Sequence, residues 1–230
     1  MSEHLAWQET VLNPLAGSHL LKICRDEAMQ AEAVAYFIKG GLLNNELVII
    51  IARATLRKAI IFHLNAMGLN VQFFKNQGQL KFLDADFLLS RILINDMLEN
   101  QVIHELIVSP IQIAHLKYGK IRAFGEMADI LWKRRQYDRA LQLEKLWDEL
   151  SKEYQFALFC TYLTDSFDAS DYDDSLEHVC KIHSHLLPLE REETASAVCA
   201  KGEAIDLFRA AWDRVVEKVA IAEQTPEMPI

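Results

Sequence analysis

The chain has 230 residues, 51% of them hydrophobic and 25% charged, which is enough apolar material for a real core, and its net charge is −9. That length suits one α/β domain with an appendage, or at most two small domains. The negative field, with no lysine or arginine stripe to offset it, argues against nucleic acid and an anionic membrane surface as direct partners.

Residues 1–18 read as an irregular lead-in ending at Asn13-Pro14 and Gly17-Ser18. They carry neither a basic end nor an apolar signal core. His19 to Cys24 reads as a first strand. Arg25-Asp26-Glu27 then opens a helix to about Leu43, with Ala31, Val34, Phe37/Ile38 and Leu42 at helical spacing and Gly40-Gly41 weakening its end. Leu47 to Ala52 is an uninterrupted, β-branched run, as expected of a strand covered on both faces. It is also the longest strongly apolar run, far too short to span a membrane. The protein is therefore expected in the cytosol, with Cys24, Cys160, Cys180 and Cys199 reduced.

Thr55 to Met67 reads as a helix with Leu56, Ile60 and Leu64 on one stripe and Gly68 as its stop. Leu80 to Asp84 is a third strand. Helices are expected over Asp86–Glu99 and Val102–Tyr118, the second broken or kinked at Pro110. Lys120 to Phe124 and Phe156 to Tyr162 are a fourth and a fifth strand. Between them Leu143, Leu146/Trp147 and Leu150 mark a helix, in which Trp132 before it and Trp147 read as core anchors. The alternation predicts an α/β fold: a mostly parallel sheet of five or more strands with helices on both faces and right-handed crossovers. The acidic stretch Asp165–Asp174 reads as a solvated connection, lacking the glycine and terminal glutamate of a calcium loop. Helices over about 173–187 and 202–222 form a C-terminal extension, the second with Ala204, Leu207/Phe208, Ala211, Val215 and Val219 on one face. That face must bury itself on the sheet domain or on a second copy, so a homodimer is an open expectation. The tail Thr225–Ile230 is expected to fray.

The catalytic motifs fail on inspection. Gly119-Lys120 lacks the first glycine of a phosphate loop, where Ala114 stands, and its Ser/Thr, where Ile121 stands. Neither G-x-G-x-x-G nor a G-x-S-x-G nucleophile elbow occurs. His104-Glu105 is not H-E-x-x-H, because position 108 is Val. Cys180-x-x-His183-x-His185 has zinc-ligand chemistry. On a helix, however, His185 would point away from Cys180 and His183, so the three read as packing or capping residues near a helix end.

Glu126 directly follows a buried strand and should project from the carboxyl edge of the sheet, where such folds bind ligands. The bland alternative is that it favours the N-terminus of the next helix. Arg25, Asp26, Arg53, Asp84 and Tyr162 take equivalent strand-end positions. Together these six residues could outline a polar rim over an apolar floor.

Read in order, several phrases carry a family likeness. They are His19-Leu-Leu-Lys-Ile-Cys-Arg25-Asp26-Glu27, the V-I-I-I-A strand with Thr55, Gly78-Gln79-Leu80-x-Phe82-Leu83-Asp84-Ala85, R-A-F-G-E-M-A-D-I-L-W, L-x-L-E-K-L-W-D-E-L and F-A-L-F-C-T-Y. They resemble the MEDS domain, the sensory domain of methanogen and methylotroph regulators of the DcmR type. The likeness spans residues 17–168, and Gly125-Glu126-Met127 with the downstream Leu-Glu-x-Leu-Trp is its most specific part. The following H-V-C-K-I-H-S-H-L-L-P resembles the extension found after this domain in some bacterial signalling proteins.

The resemblance implies a RecA/KaiC-like fold without its phosphate loop, here over residues 19–168, followed by an extension over 169–230. It also implies a non-catalytic sensor or adaptor that needs no cofactor. Such a protein would bind a small organic ligand at the strand-end rim. It would signal to a separate partner protein, such as a histidine kinase or regulator, because neither a kinase nor a helix-turn-helix fits the remaining residues. Two other readings stay open. One is a ligand-free interaction module whose cleft is filled by Trp132 or Phe87. The other is a metal-assisted hydrolase using His183, His185 and Glu126.

Overall fold

The computed structural model describes residues 3–94, 97–167, 172–189 and 200–224. Its centre is a six-stranded, wholly parallel sheet. The strands are β1 (His19–Cys24), β2 (Leu47–Ala52), β3 (Leu80–Asp84), β6 (Ile121–Gly125), β7 (Ala157–Leu163) and β8 (His185–Leu186), in the order β3-β2-β6-β7-β1-β8. All residues of β1, β2, β6 and β7 are buried, as the apolar runs require of strands covered on both faces.

Alternation along the strands sorts side chains into two cores. Leu20, Val48, Ile50, Phe124 and Phe159 face α1 (Glu3–Leu12), α2 (Glu27–Leu43), α3 (Ala54–Ala66) and α4 (Val71–Asn76). Leu21, Ile23, Ile49, Ile51, Leu158 and Tyr162 face the other helices. Those are α5 (Ala85–Ile92), α6 (Asn100–Ile103), α7 (Ser109–Tyr118), α8 (Met127–Lys133), α9 (Tyr137–Glu153), α10 (Tyr172–Cys180) and α11 (Ala200–Gln224). Local chemistry sets the helix starts. The Asp26 carboxylate accepts from the Met29 N–H at 2.8 Å to cap α2, and Asp84 accepts from the Phe87 N–H at 2.9 Å to cap α5.

Three expectations are corrected. The lead-in contains α1, which buries Trp7 and Val11 against α2 and whose Val11 and Leu12 carbonyls accept from Arg122 of β6. The helix expected over Asp86–Glu99 stops at Ile92. Leu93–Ile94 (β4) and Met97–Leu98 (β5) pair antiparallel instead, letting Leu93 and Leu98 pack on the main core. At Pro110 the expected break is present: a π-helical stretch, His104–Val108, in which the Ser109 N–H donates to the His104 carbonyl, interrupts the regular helix, and Pro110 sits in the first turn of α7, where its missing N–H costs little. The helix expected over about 173–187 ends at Cys180, because His185 and Leu186 add to the β1 edge as β8.

Trp132 and Trp147 are buried core residues, as their spacing predicts. Cys24, Cys160 and Cys180 are buried, and among the described residues no helix is long and apolar enough to cross a membrane. Residues 168–171 of the Asp165–Asp174 connection, Cys199 and the Thr225–Ile230 tail lie outside the described residues.

Candidate functional site

Parallel strands send all their carboxyl ends to one edge, and five of the six predicted rim residues sit there. The ends of β3, β2, β6 and β1 place Asp84, Arg53, Glu126 and Arg25-Asp26 along it in that spatial order. Arg53 and Glu126 meet directly. The fully buried Glu126 carboxylate accepts from the Arg53 backbone N–H at 2.6 Å and from its Nε at 2.8 Å, and Nη2 lies 2.6 Å from Oε1. Glu126 makes no side-chain cap to α8. Burial alone would loosen the guanidinium's proton, but Glu126 more than reverses this and Arg53 binds its proton more tightly than usual. Arg53 keeps 30% of its side chain exposed. It is a cation this edge offers to solvent. Asp84 pairs with Arg57 at 2.8 Å, and Asp26 is occupied as the α2 cap. The Arg25 carbonyl accepts from the Thr164 hydroxyl at 3.4 Å.

Tyr162 is not part of this rim. β7 runs on through Leu163, so Tyr162 lies inside the strand, fully buried, and its hydroxyl donates to Glu144 Oε1 at 2.7 Å.

The Tyr162–Glu144 bond belongs to a second constellation. On the face covered by α9, the side chains of His19 (β1), Cys160 (β7), Glu144 (α9) and His183 (the turn after α10) converge, all buried, with one candidate ligand atom each within 4.8 Å of the others. Glu144 Oε2 lies 3.3 Å from His19 Nε2, 3.3 Å from Cys160 Sγ and 3.7 Å from His183 Nε2. His19 Nε2 lies 3.3 Å from Cys160 Sγ, and the imidazole centroids are 3.9 Å apart.

Burial raises the Cys160 thiol well above its ordinary range, and the Glu144 charge adds to this. Burial and the neighbouring His19 push His183 down to about 4. Glu144 stays ionised against its burial because the imidazoles and the Tyr162 hydroxyl favour the charged form. For His19 the nearby Asp148 and Glu144 outweigh burial and raise its affinity for a proton.

Of the predicted metal candidates, only His183 joins this cluster. Cys180 packs in the apolar core, where burial lifts its thiol to about 12. His185 Nδ1 sits 2.9 Å from the Ser184 hydroxyl. Glu126 is engaged by Arg53, so His183, His185 and Glu126 do not form one centre.

The strand edge connects physically to the C-terminal helix. Glu126 leads into α8, where buried Asp129 accepts from the Leu163 N–H at 3.3 Å and the Ser166 hydroxyl at 2.6 Å, locking α8 to the end of β7. Burial raises the Asp129 pKa, and Lys133 with these donors pulls the other way. On α8, Trp132 packs edge-on to Tyr162 and against Phe167 with ring centres 5.6 Å apart. Phe167 packs in turn on Phe208 of α11, also at 5.6 Å. Phe87, by contrast, stays 59% exposed and does not fill the edge.

The chain matches none of the curated proteins with which it was compared. A family model described as MEthanogen/methylotroph, DcmR Sensory domain matches residues 18–184, beyond the Tyr162 strand and through the turn that carries His183. A match over that much of the chain shows that this protein belongs to the MEDS family of sensory domains.

Proposed function

We propose that the protein is a non-catalytic cytosolic sensor that takes a small organic ligand at the carboxyl edge of its sheet and passes the event to a separate signalling protein through α11. The observation that carries this reading is the Arg53–Glu126 pair: a buried carboxylate holding a half-exposed guanidinium at the strand ends. A ligand with a hydrogen-bond acceptor competes with Glu126 for that guanidinium. Because Glu126 opens α8, any shift in it reaches Trp132, Phe167 and Phe208 through packed side chains. Leu207 and Ile221 lie exposed on α11 and supply apolar contacts for a partner such as a histidine kinase or regulator. A ligand shifts such an equilibrium only by its preference for one arrangement, and tenfold preference is about 1.4 kcal/mol.

The internal pairing of Arg53 with Glu126 and of Arg57 with Asp84 favours a second reading, an interaction module that needs no ligand. Native mass spectrometry of the purified chain, with a thermal-shift panel of small organic acids, alcohols and halides, separates the two. The sensor reading expects a copurified or stabilising compound whose effect is lost in Arg53→Ala and in Glu126→Gln. Binding that survives both substitutions would move the pocket elsewhere. The absence of any binder, with partner capture intact, would leave the ligand-free module.

A further inference from the structure

We propose that His19, Glu144, Cys160 and His183 form a four-coordinate zinc site, built independently of the ligand edge and tying the C-terminal segment to the sheet. The ligand types are those of tetrahedral zinc: two imidazoles, a thiolate and a carboxylate. The spacing fits as well. Zinc bonds of about 2.0–2.3 Å place neighbouring ligand atoms of a tetrahedron roughly 3.3–3.6 Å apart. Four of the six separations, 3.3, 3.3, 3.3 and 3.7 Å, fall on that scale, and all six lie within 4.8 Å.

Two of the four ligands are already oriented by a hydrogen bond, and a third faces a carboxylate. His183 Nδ1 lies 2.8 Å from the Val179 carbonyl, which fixes the proton on Nδ1 and turns the Nε2 lone pair into the cluster. That Nε2 is buried and has no hydrogen-bond partner. Glu144 uses Oε1 to accept from Tyr162, leaving Oε2 facing the other ligands. His19 presents Nε2 to the cluster while its Nδ1 faces Asp148 Oδ1 at 3.6 Å, a carboxylate–imidazole arrangement like that behind metal-bound histidines. A thiolate and a carboxylate together neutralise a divalent ion formally, which suits a centre with no solvent access. On binding, Cys160 gives up its thiol proton and His19 presents an unprotonated Nε2, so metal uptake releases protons to solvent.

The site also has a structural consequence. His183 is the single ligand from beyond β7, and it sits directly before β8. An ion there would anchor the α10–β8 turn to β1, β7 and α9. The docking of the C-terminal segment would become metal-dependent.

The test uses the full chain, treated with a chelator and then titrated with Co²⁺ followed by Zn²⁺. The expected result is uptake of a single equivalent of cobalt, with the intense visible bands of a tetrahedral ion and a near-ultraviolet sulfur-to-cobalt charge-transfer band, both bleached by zinc. Cys160→Ala should remove the charge-transfer band, and Cys180→Ala should keep it. His183→Ala should weaken cobalt binding by more than roughly tenfold. A weak octahedral spectrum or no uptake by the wild-type chain would overturn the proposal without any variant. A charge-transfer band that survives Cys160→Ala, or disappears with Cys180→Ala in a folded protein, would overturn it too.

Discussion

Arg122→Met is expected to lower the unfolding free energy by about 3–5 kcal/mol, the range for removing one partner of a buried charged pair. Arg122 is almost fully buried as the second residue of β6, on the face covered by α1 and α2. Its Nε donates to Glu46, and its Nη1 donates to the Phe37 carbonyl at 2.8 Å and reaches the Val11 and Leu12 carbonyls at 3.3 Å. Methionine fills most of the volume but donates nothing. It leaves a carboxylate without its cation and takes a donor from the last carbonyls of α1. Urea unfolding measures the loss as a lower midpoint at unchanged slope. A change under about 1 kcal/mol would show that water replaces the guanidinium at low cost.

Gly40→Ala is expected to act on the same junction by a different route. A Cβ at Gly40 would stand 2.1 Å from the Leu12 carbonyl oxygen and 2.9 Å from Arg122 Nη1. The first obstacle is backbone, so no rotamer change relieves it and α1 must lift off α2. The cost is therefore capped by the free energy of undocking α1. Burying Trp7 and Val11 sets that at about 3 kcal/mol or more. Amide exchange over residues 3–12 should rise sharply while the sheet stays protected. Retained protection of α1 would mean that α2 bends instead.

The strands were legible because five of them are short, mainly apolar runs punctuated by turn residues. Leu47–Ala52 shows this best: its predicted and observed ends coincide. Gly40-Gly41 were legible only as helix-weakening residues. Their use, which is to let α1 and Arg122 approach α2, depends on partners 28 and 82 residues from Gly40. β8 was hidden because two residues inside H-S-H-L-L-P carry no period, so a helix end and an added strand look alike there.

The predicted rim and the buried cluster differ in the same way. Strand-end residues follow from topology, so Arg53 and Glu126 could be placed together without knowing their contacts. The sequence puts Tyr162 on the rim because its apolar run Phe156–Tyr162 stops one residue short of the end of β7 at Leu163. His19, Glu144, Cys160 and His183 come from four separate elements, and no local spacing joins them. A signal did exist. His19 shares the inward alternation of Leu21 and Ile23, and Glu144 interrupts the apolar stripe of Leu143, Trp147 and Leu150. A polar residue at an inward position of a buried element needs a buried partner, and two such positions on adjoining elements point to one cluster.

Recognition at the strand edge matters only if it reaches α11, and amide exchange along α11 in the wild-type chain and in Arg53→Ala tests this most directly. Releasing Glu126 from its cation should loosen α8 and the Trp132–Phe167–Phe208 stack. The amides of residues 207–219 should then exchange at least about tenfold faster, equivalent to about 1.4 kcal/mol of lost protection. Unchanged exchange in α11, alongside faster exchange confined to the β2–α3 junction around Arg53, would contradict the account.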